Sequence, residues 1–201
     1  MFRGIILFLF TLLGLATGVF GLDAVKGSQG TDVGVQGDEL PSIHWDALGN
    51  LQVTIALVNK YRTAHQVSEL TWNTTLAQYA ANAAYPCKFG HSNGPYGETL
   101  AGSNTINNPE WYIWYLYDEN KDYDFKNPKV PNPATAHFTQ LVWASTKQMG
   151  CAFIEGCKDV KYQLWCEFVP KGSTGSQLAY RNNVKPADKT KEIPGMPPAH
   201  I

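Results

Sequence analysis

Residues 137–146 read HFTQLVWAST. A titratable ring stands at the head, Thr139 and Gln140 follow, and Leu141-Val142-Trp143 is a dense apolar block. Two readings fit that order. Either His137 is a polar residue satisfied at the edge of a core, or the core block exists to anchor the backbone and hold His137 in place. The following sequence sets the frame. GCAFIEG (150–156) and KYQLWCEFV (161–169) read as two strands joined by a short polar turn. A hairpin turning at Lys158-Asp159 places Cys151 directly opposite Cys166, a separation that suits a disulfide.

Four cysteines allow three connectivities, and the hairpin register favours Cys151–Cys166, which leaves Cys87 for Cys157. The closed loops, 15 and 70 residues long, correspond to roughly 3 and roughly 4.4 kcal/mol in the chain-entropy account. A zinc site built from the same cysteines is the rival, and the lack of a CxxC pair counts against it.

Upstream of this core the periodicity is helical. Leu48, Leu51, Ile55, Val58 and Arg62 fall on one face, with Asp46 as N-cap. After a turn at Val67-Ser68-Glu69, a second helix starts near Asn73 or Thr74 and buries Leu76, Tyr79, Ala80 and Ala83. Asn108-Pro109 opens a third, strongly aromatic helix that ends around Asn120. CKFGHSNGPYGETLAG (87–102) and DYDFKNPKVPNPATA (122–136) read as loops. Three helices over a small antiparallel sheet make the class α+β.

The N-terminus carries Arg3, an apolar run from Ile5 to about Leu15, and then small residues. That layout predicts a signal peptide over 1–21, with cleavage after Gly21 or Gly18. The run is short for a membrane span, although a retained signal anchor is the alternative. Residues 22–47 read as a flexible linker, 48–172 as the folded domain, and 173–201 as a polar, Pro-rich disordered tail. The expected product is secreted and extracellular, with no transmembrane segment. The net charge of -1 and the absence of a Lys/Arg cluster exclude a nucleic-acid-binding balance.

Of five histidines, His44, His65 and His200 fall in a linker, a helix-end turn and a tail, and read as exposed. His91 and His137 lie beside tightly patterned sequence. With Glu98, seven residues after His91, and Glu119 at the end of the aromatic helix, they form a candidate metal or acid/base cluster. There is no Gly-x-Ser-x-Gly elbow, HExxH helix or phosphate-binding glycine loop, and no serine or cysteine stands out as a nucleophile. Asn73-Thr74-Thr75 is an N-glycosylation sequon.

HFTQLVW followed by GCAF and WCEFVPKG resembles the paired signature of the CAP superfamily, which comprises cysteine-rich secretory proteins, antigen 5 and pathogenesis-related protein 1. HSNGPYGETL, LTWNTTLAQYAANAA, VNKYR and DENKDYDF resemble further family segments in the right order, closest to fungal secreted members. The resemblance implies an α-β-α sandwich. It also implies that His91, Glu98, Glu119 and His137 line a central cleft able to hold a divalent cation, zinc or magnesium. Thr139 and Gln140 would hydrogen-bond the groups that hold it. The family's disulfide pairing matches Cys87–Cys157 and Cys151–Cys166.

The chain departs from the family pattern at Val58, Thr99, Glu167 and Phe168, and it lacks the cysteine pair flanking the loop before His137. That loop, KNPKVPNPATA, has no aromatic residue, which weakens a carry-over of sterol binding. The resemblance favours a non-enzymatic binding protein for sterols or fatty acids, acting in lipid export or at a host or cell-surface interface. The alternatives are a metal-assisted hydrolase or protease and a precursor of a C-terminal signalling peptide.

Overall fold

A computed structural model describes residues 41–44 and 51–201. The expected signal peptide, most of the linker and Asp46 lie outside the described residues. The elements are β1 (Ser42–His44), α1 (Gln52–Ala64), β2 (Thr71–Trp72), α2 (Thr74–Ala84), β3 (Gly97–Ser103), α3 (Pro109–Asp118), α4 (Ala136–Leu141), β4 (Gln148–Glu155), β5 (Tyr162–Val169) and α5 (Gln177–Asn183). One sheet runs β1-β4-β5-β3, and the two-residue β2 pairs with β4 in parallel.

The β4–β5 hairpin has the register expected from the sequence, with Cys151 opposite Cys166, and both disulfides form as anticipated. Alternation along these strands sends side chains to two cores. Met149, Cys151, Phe153, Leu164, Cys166 and Phe168 meet the aromatic and aliphatic faces of α1, α3 and α4. Ala152, Ile154 and Trp165 meet the alanines of α2. The result is the α-β-α sandwich. Small residues let α2 lie close to the sheet: a Cβ on Gly150 would stand 2.3 Å from the Ala77 amide nitrogen and 2.4 Å from the Asn73 carbonyl.

Arg62 organises the segment that opened the sequence reading. Its guanidinium is fully buried and donates to the carbonyls of Ser68, Leu141, Trp143 and Thr146 at 2.7–3.1 Å. Those carbonyls belong to the turn after α1 and to the end of α4, where chain reversal leaves acceptors without helical partners. Leu141, Val142 and Trp143 are buried, as the anchoring reading requires.

Several expectations change. The segment 87–102 is a loop only as far as Tyr96, and Gly97–Ser103 is strand β3. Its glycines serve close approach rather than turning: a Cβ on Gly97 would lie 2.2 Å from Gln140 Oε1. α1 begins at Gln52 with Leu51 at its cap position. Residues 42–44, assigned to the linker, form β1 against β4.

The tail from 173 is not disordered. α5 buries Tyr180 edge-on against Trp143, Val184 is buried, and the remainder runs over α1 and the start of α3. His65 is not exposed either; it is buried to 1% accessibility. Five helices are present among the described residues where three were expected, the additions being α4 and α5.

Candidate functional site

Glu119 begins a 3₁₀ turn directly after α3 and aims its carboxylate at the start of α4. Oε2 accepts from the backbone N–H groups of His137 and Phe138, both at 3.0 Å, and Oε1 lies 2.6 Å from His137 Nδ1. One carboxylate therefore satisfies the open end of the helix and orients the imidazole. Glu98 does the same for the other ring. It stands on β3, 2.6 Å from His91 Nδ1, and also accepts from the Ser92 backbone N–H at 3.0 Å. Burial pushes the Glu98 carboxyl up, but the hydrogen bonds from Ser92 and His91 outweigh it and hold the group below its usual range.

The two rings lie 6.5 Å apart, centroid to centroid, at an interplanar angle of 25°. They border a cleft of about 260 Å³ lined also by Glu98, Gln140, Lys171 and Ser173. The structure brings the four expected residues together as two His–Glu pairs. The carboxylates engage Nδ1 of each ring, which leaves the Nε2 atoms as the positions not taken by these carboxylates. Among the described residues no group of three or more His, Cys, Asp or Glu is assembled to hold a metal ion. The donor set offered is thus two imidazole nitrogens, with the glutamates as orienting partners rather than ligands. Imidazole nitrogens suit zinc; magnesium calls for oxygen.

Thr139 and Gln140 do not bond the pairs. Thr139 Oγ1 lies 2.6 Å from Ser173 Oγ, and Gln140 accepts from the Gly172 N–H at 2.8 Å and donates to Thr146 Oγ1 at 3.2 Å. They tie α4 to the chain after β5, which forms one wall of the cleft. Ser173 lines the cleft, and its hydroxyl bonds to Thr139 and the Ala136 carbonyl rather than to an imidazole.

Sequence reasoning missed the weight of Glu167. It is buried to 1% accessibility opposite Glu98, and burial followed by the Glu98 charge pushes its carboxyl up to about 9. Asn73 of the sequon caps α2, accepting from the Thr75 and Leu76 amides, and its Nδ2 donates to Gln148 Oε1 at 3.0 Å.

The protein "Repressed by EFG1 protein 1" of Candida albicans is 39% identical over 122 residues, which is 57% of this chain and 44% of that protein. "Secreted protein RBT4" of the same organism is 35% identical over 147 residues, 64% of this chain and 38% of that protein. The chain thus spans less than half the length of these fungal relatives. Among solved structures, "NaASP2 with Zn2+" superposes with a TM-score of 0.52 at 18% identity, covering 61% of this chain and 80% of that one. That likeness supports the fold. The family model of the cysteine-rich secretory proteins matches residues 55–168, more than half of the chain, and the chain belongs to this CAP family.

Proposed function

We propose that the protein is a secreted, non-enzymatic binder of small lipids, sterols or fatty acids, whose cleft takes a divalent cation between His91 and His137. The observation that carries the binding reading is the state of the cleft. Both imidazoles are oriented through Nδ1, and the cleft serine, Ser173, is hydrogen-bonded away from them. Nucleophilic catalysis needs a hydroxyl or thiol within hydrogen-bond reach of its base. Nδ1 held by a carboxylate is the arrangement of a metal-ligating histidine, and it supports zinc at Nε2. The relative solved with Zn2+ is in keeping with this choice of metal.

Lipid contact calls for apolar surface outside this polar cleft. α3 offers some: Tyr115 is exposed, the half-buried Trp111 and Trp114 lie beside it, and the Trp111 and Tyr115 rings are 5.3 Å apart and nearly parallel. Secretion is supported by the two disulfides, which persist in oxidising compartments, and by the secreted relative. No helix among the described residues is long and apolar enough to cross a membrane.

The test is binding of radiolabelled cholesteryl acetate and palmitate to the purified protein, with His137→Ala and a metal-stripped sample alongside. Saturable binding that survives His137→Ala supports a lipid site separate from the cleft. No binding of either lipid overturns the carrier reading and moves the weight to metal-assisted hydrolysis in the cleft.

A further inference from the structure

The C-terminal segment crosses α1 and the start of α3 without forming regular structure: residues 192–198 belong to no helix or strand. They include Pro194-Gly195-Met196-Pro197, two prolines three residues apart. Pro194 and Pro197 are half-buried, whereas Ile193, Gly195, Met196 and Pro198 are exposed. A polyproline II strand turns once in three residues, so this spacing sets both prolines on the face toward the domain.

The domain meets the segment with two side-chain donors. The Tyr61 hydroxyl donates to the Pro194 carbonyl at 3.3 Å, and Asn108 Nδ2 donates to the Pro198 carbonyl at 2.8 Å. Both residues are almost completely buried, at 0% and 1% accessibility. Each is fixed from behind. The Tyr61 ring stacks on Tyr117 with centroids 3.7 Å apart, and Asn108 Oδ1 accepts from the Glu110 amide in the first turn of α3. Donors held this way read the course of a backbone rather than its side chains. Proline-rich chain suits them, because proline fixes φ and the strand leaves its carbonyls free of internal hydrogen bonds.

Anchorage of the segment is otherwise slight. Its larger apolar residues, Ile193, Met196 and Ile201, are 42%, 64% and 71% exposed. A cavity of about 550 Å³ opens beside Pro194, bounded by Asn59, Lys60, Thr63 and Glu69 on one side and by Lys191 and Glu192 on the other. The segment satisfies the two donors without filling the groove.

We propose that this face of α1 and α3 is a recognition groove for Pro-x-x-Pro segments of another protein, and that residues 192–198 occupy it as a tethered stand-in. Recognition of such segments uses the same means, aromatic surface beneath a preformed left-handed strand. The tail of a second copy makes the same contacts but lacks the tether, whose effective concentration is on the order of millimolar. It does not displace the resident tail below that concentration. A foreign segment with a larger side chain ahead of its first proline also fills the cavity, and that gain lets it compete.

The test is fluorescence polarisation of a labelled peptide, KTKEIPGMPPAHI (residues 189–201), against full-length chains. In one chain Pro194→Ala and Pro197→Ala weaken the resident segment and leave the tail attached. This chain should bind the peptide saturably, at least about tenfold more tightly than the wild type, whose own tail competes. Adding Tyr61→Phe should weaken binding about fivefold, as for loss of one hydrogen bond. Glu192→Tyr in the peptide should tighten binding severalfold by filling the cavity. No saturable binding to a folded alanine chain overturns the proposal. So does equal binding of a peptide carrying the same two alanines, or no change with Tyr61→Phe or with the Glu192→Tyr peptide. A micromolar wild-type dimer in sedimentation that the two alanines abolish assigns the groove to a second copy and overturns it too. If the alanine chain does not fold, the wild type decides: it must bind the Glu192→Tyr peptide saturably at millimolar concentration.

Discussion

Glu98 on β3 and Glu167 on β5 are direct cross-strand partners, and Glu167 is buried to 1% accessibility with its Oε1 lacking a hydrogen-bond partner among the described residues. Two charged carboxylates so placed repel each other. Glu98 stays ionised through Ser92 and His91, so the shared proton resides on Glu167, whose carboxyl is pushed up to about 9 by burial and by the Glu98 charge. The orienting carboxylate of His91 is thus backed by a neutral acid.

A pH dependence follows. In the unfolded chain Glu167 ionises near 4.5, and in the folded chain only near 9. Between those values the unfolded state binds fewer protons, so stability falls as pH rises through the window. Glu167→Gln keeps a hydrogen-bond donor toward Glu98 and cannot ionise. It should raise stability at pH 8 by several kcal/mol, since about 3.5 pKa units of linkage separate 4.5 from pH 8 at about 1.4 kcal/mol each, with a much smaller effect at pH 5. Urea denaturation at both pH values checks this, and equal effects at pH 5 and 8 would refute it.

Arg62 donates to three buried carbonyls, of Leu141, Trp143 and Thr146, that fix the turn after α4, and to the part-buried Ser68 carbonyl after α1. Arg62→Ala leaves those acceptors without partners in the core and should cost about 3–5 kcal/mol or prevent folding. Arg62→Lys keeps the charge but not the planar fork of donors, and should recover only part of the loss. Thermal unfolding followed by circular dichroism reads both.

Gly150 is required by the backbone of α2, not by a turn. Gly150→Ala brings a methyl group within 2.3–2.4 Å of main-chain atoms of Ala77 and Asn73. A backbone neighbour cannot rotate away as a side chain does, so α2 must shift, at a cost of about 1–3 kcal/mol. Gly90, where a Cβ meets nothing within 4 Å, is the control: Gly90→Ala should change stability by less than about 0.5 kcal/mol.

The hairpin was legible because side-chain alternation and turn position fix register, so two cysteines in opposed places predicted their own pairing. The helices at Thr74 and Pro109 were legible from their asparagine caps, Asn73 and Asn108. β3 was hidden because Gly97 and Gly102 look like turn residues, whereas their small size serves contacts with Gln140 and Val160, far away in sequence. The tail was hidden for a similar reason. Tyr180 and Val184 are isolated apolar residues in a polar stretch, and Trp143, against which Tyr180 packs, is remote in sequence. Spacing alone left the two histidines and two glutamates as a weak cluster, and the resemblance singled them out. Neither showed that the glutamates meet the rings at Nδ1, because that depends on where the 3₁₀ turn, strand and helix ends come to rest in space.

The division of labour between histidine and glutamate is tested most directly by calorimetric zinc titration of the purified protein and of His137→Ala, His91→Ala and Glu119→Gln. The account predicts saturable binding to the wild type, none to either histidine variant, and binding weakened about 10–100-fold in Glu119→Gln, as for loss of an orienting partner. Wild-type affinity in the histidine variants, or no zinc binding by the wild type, would contradict it.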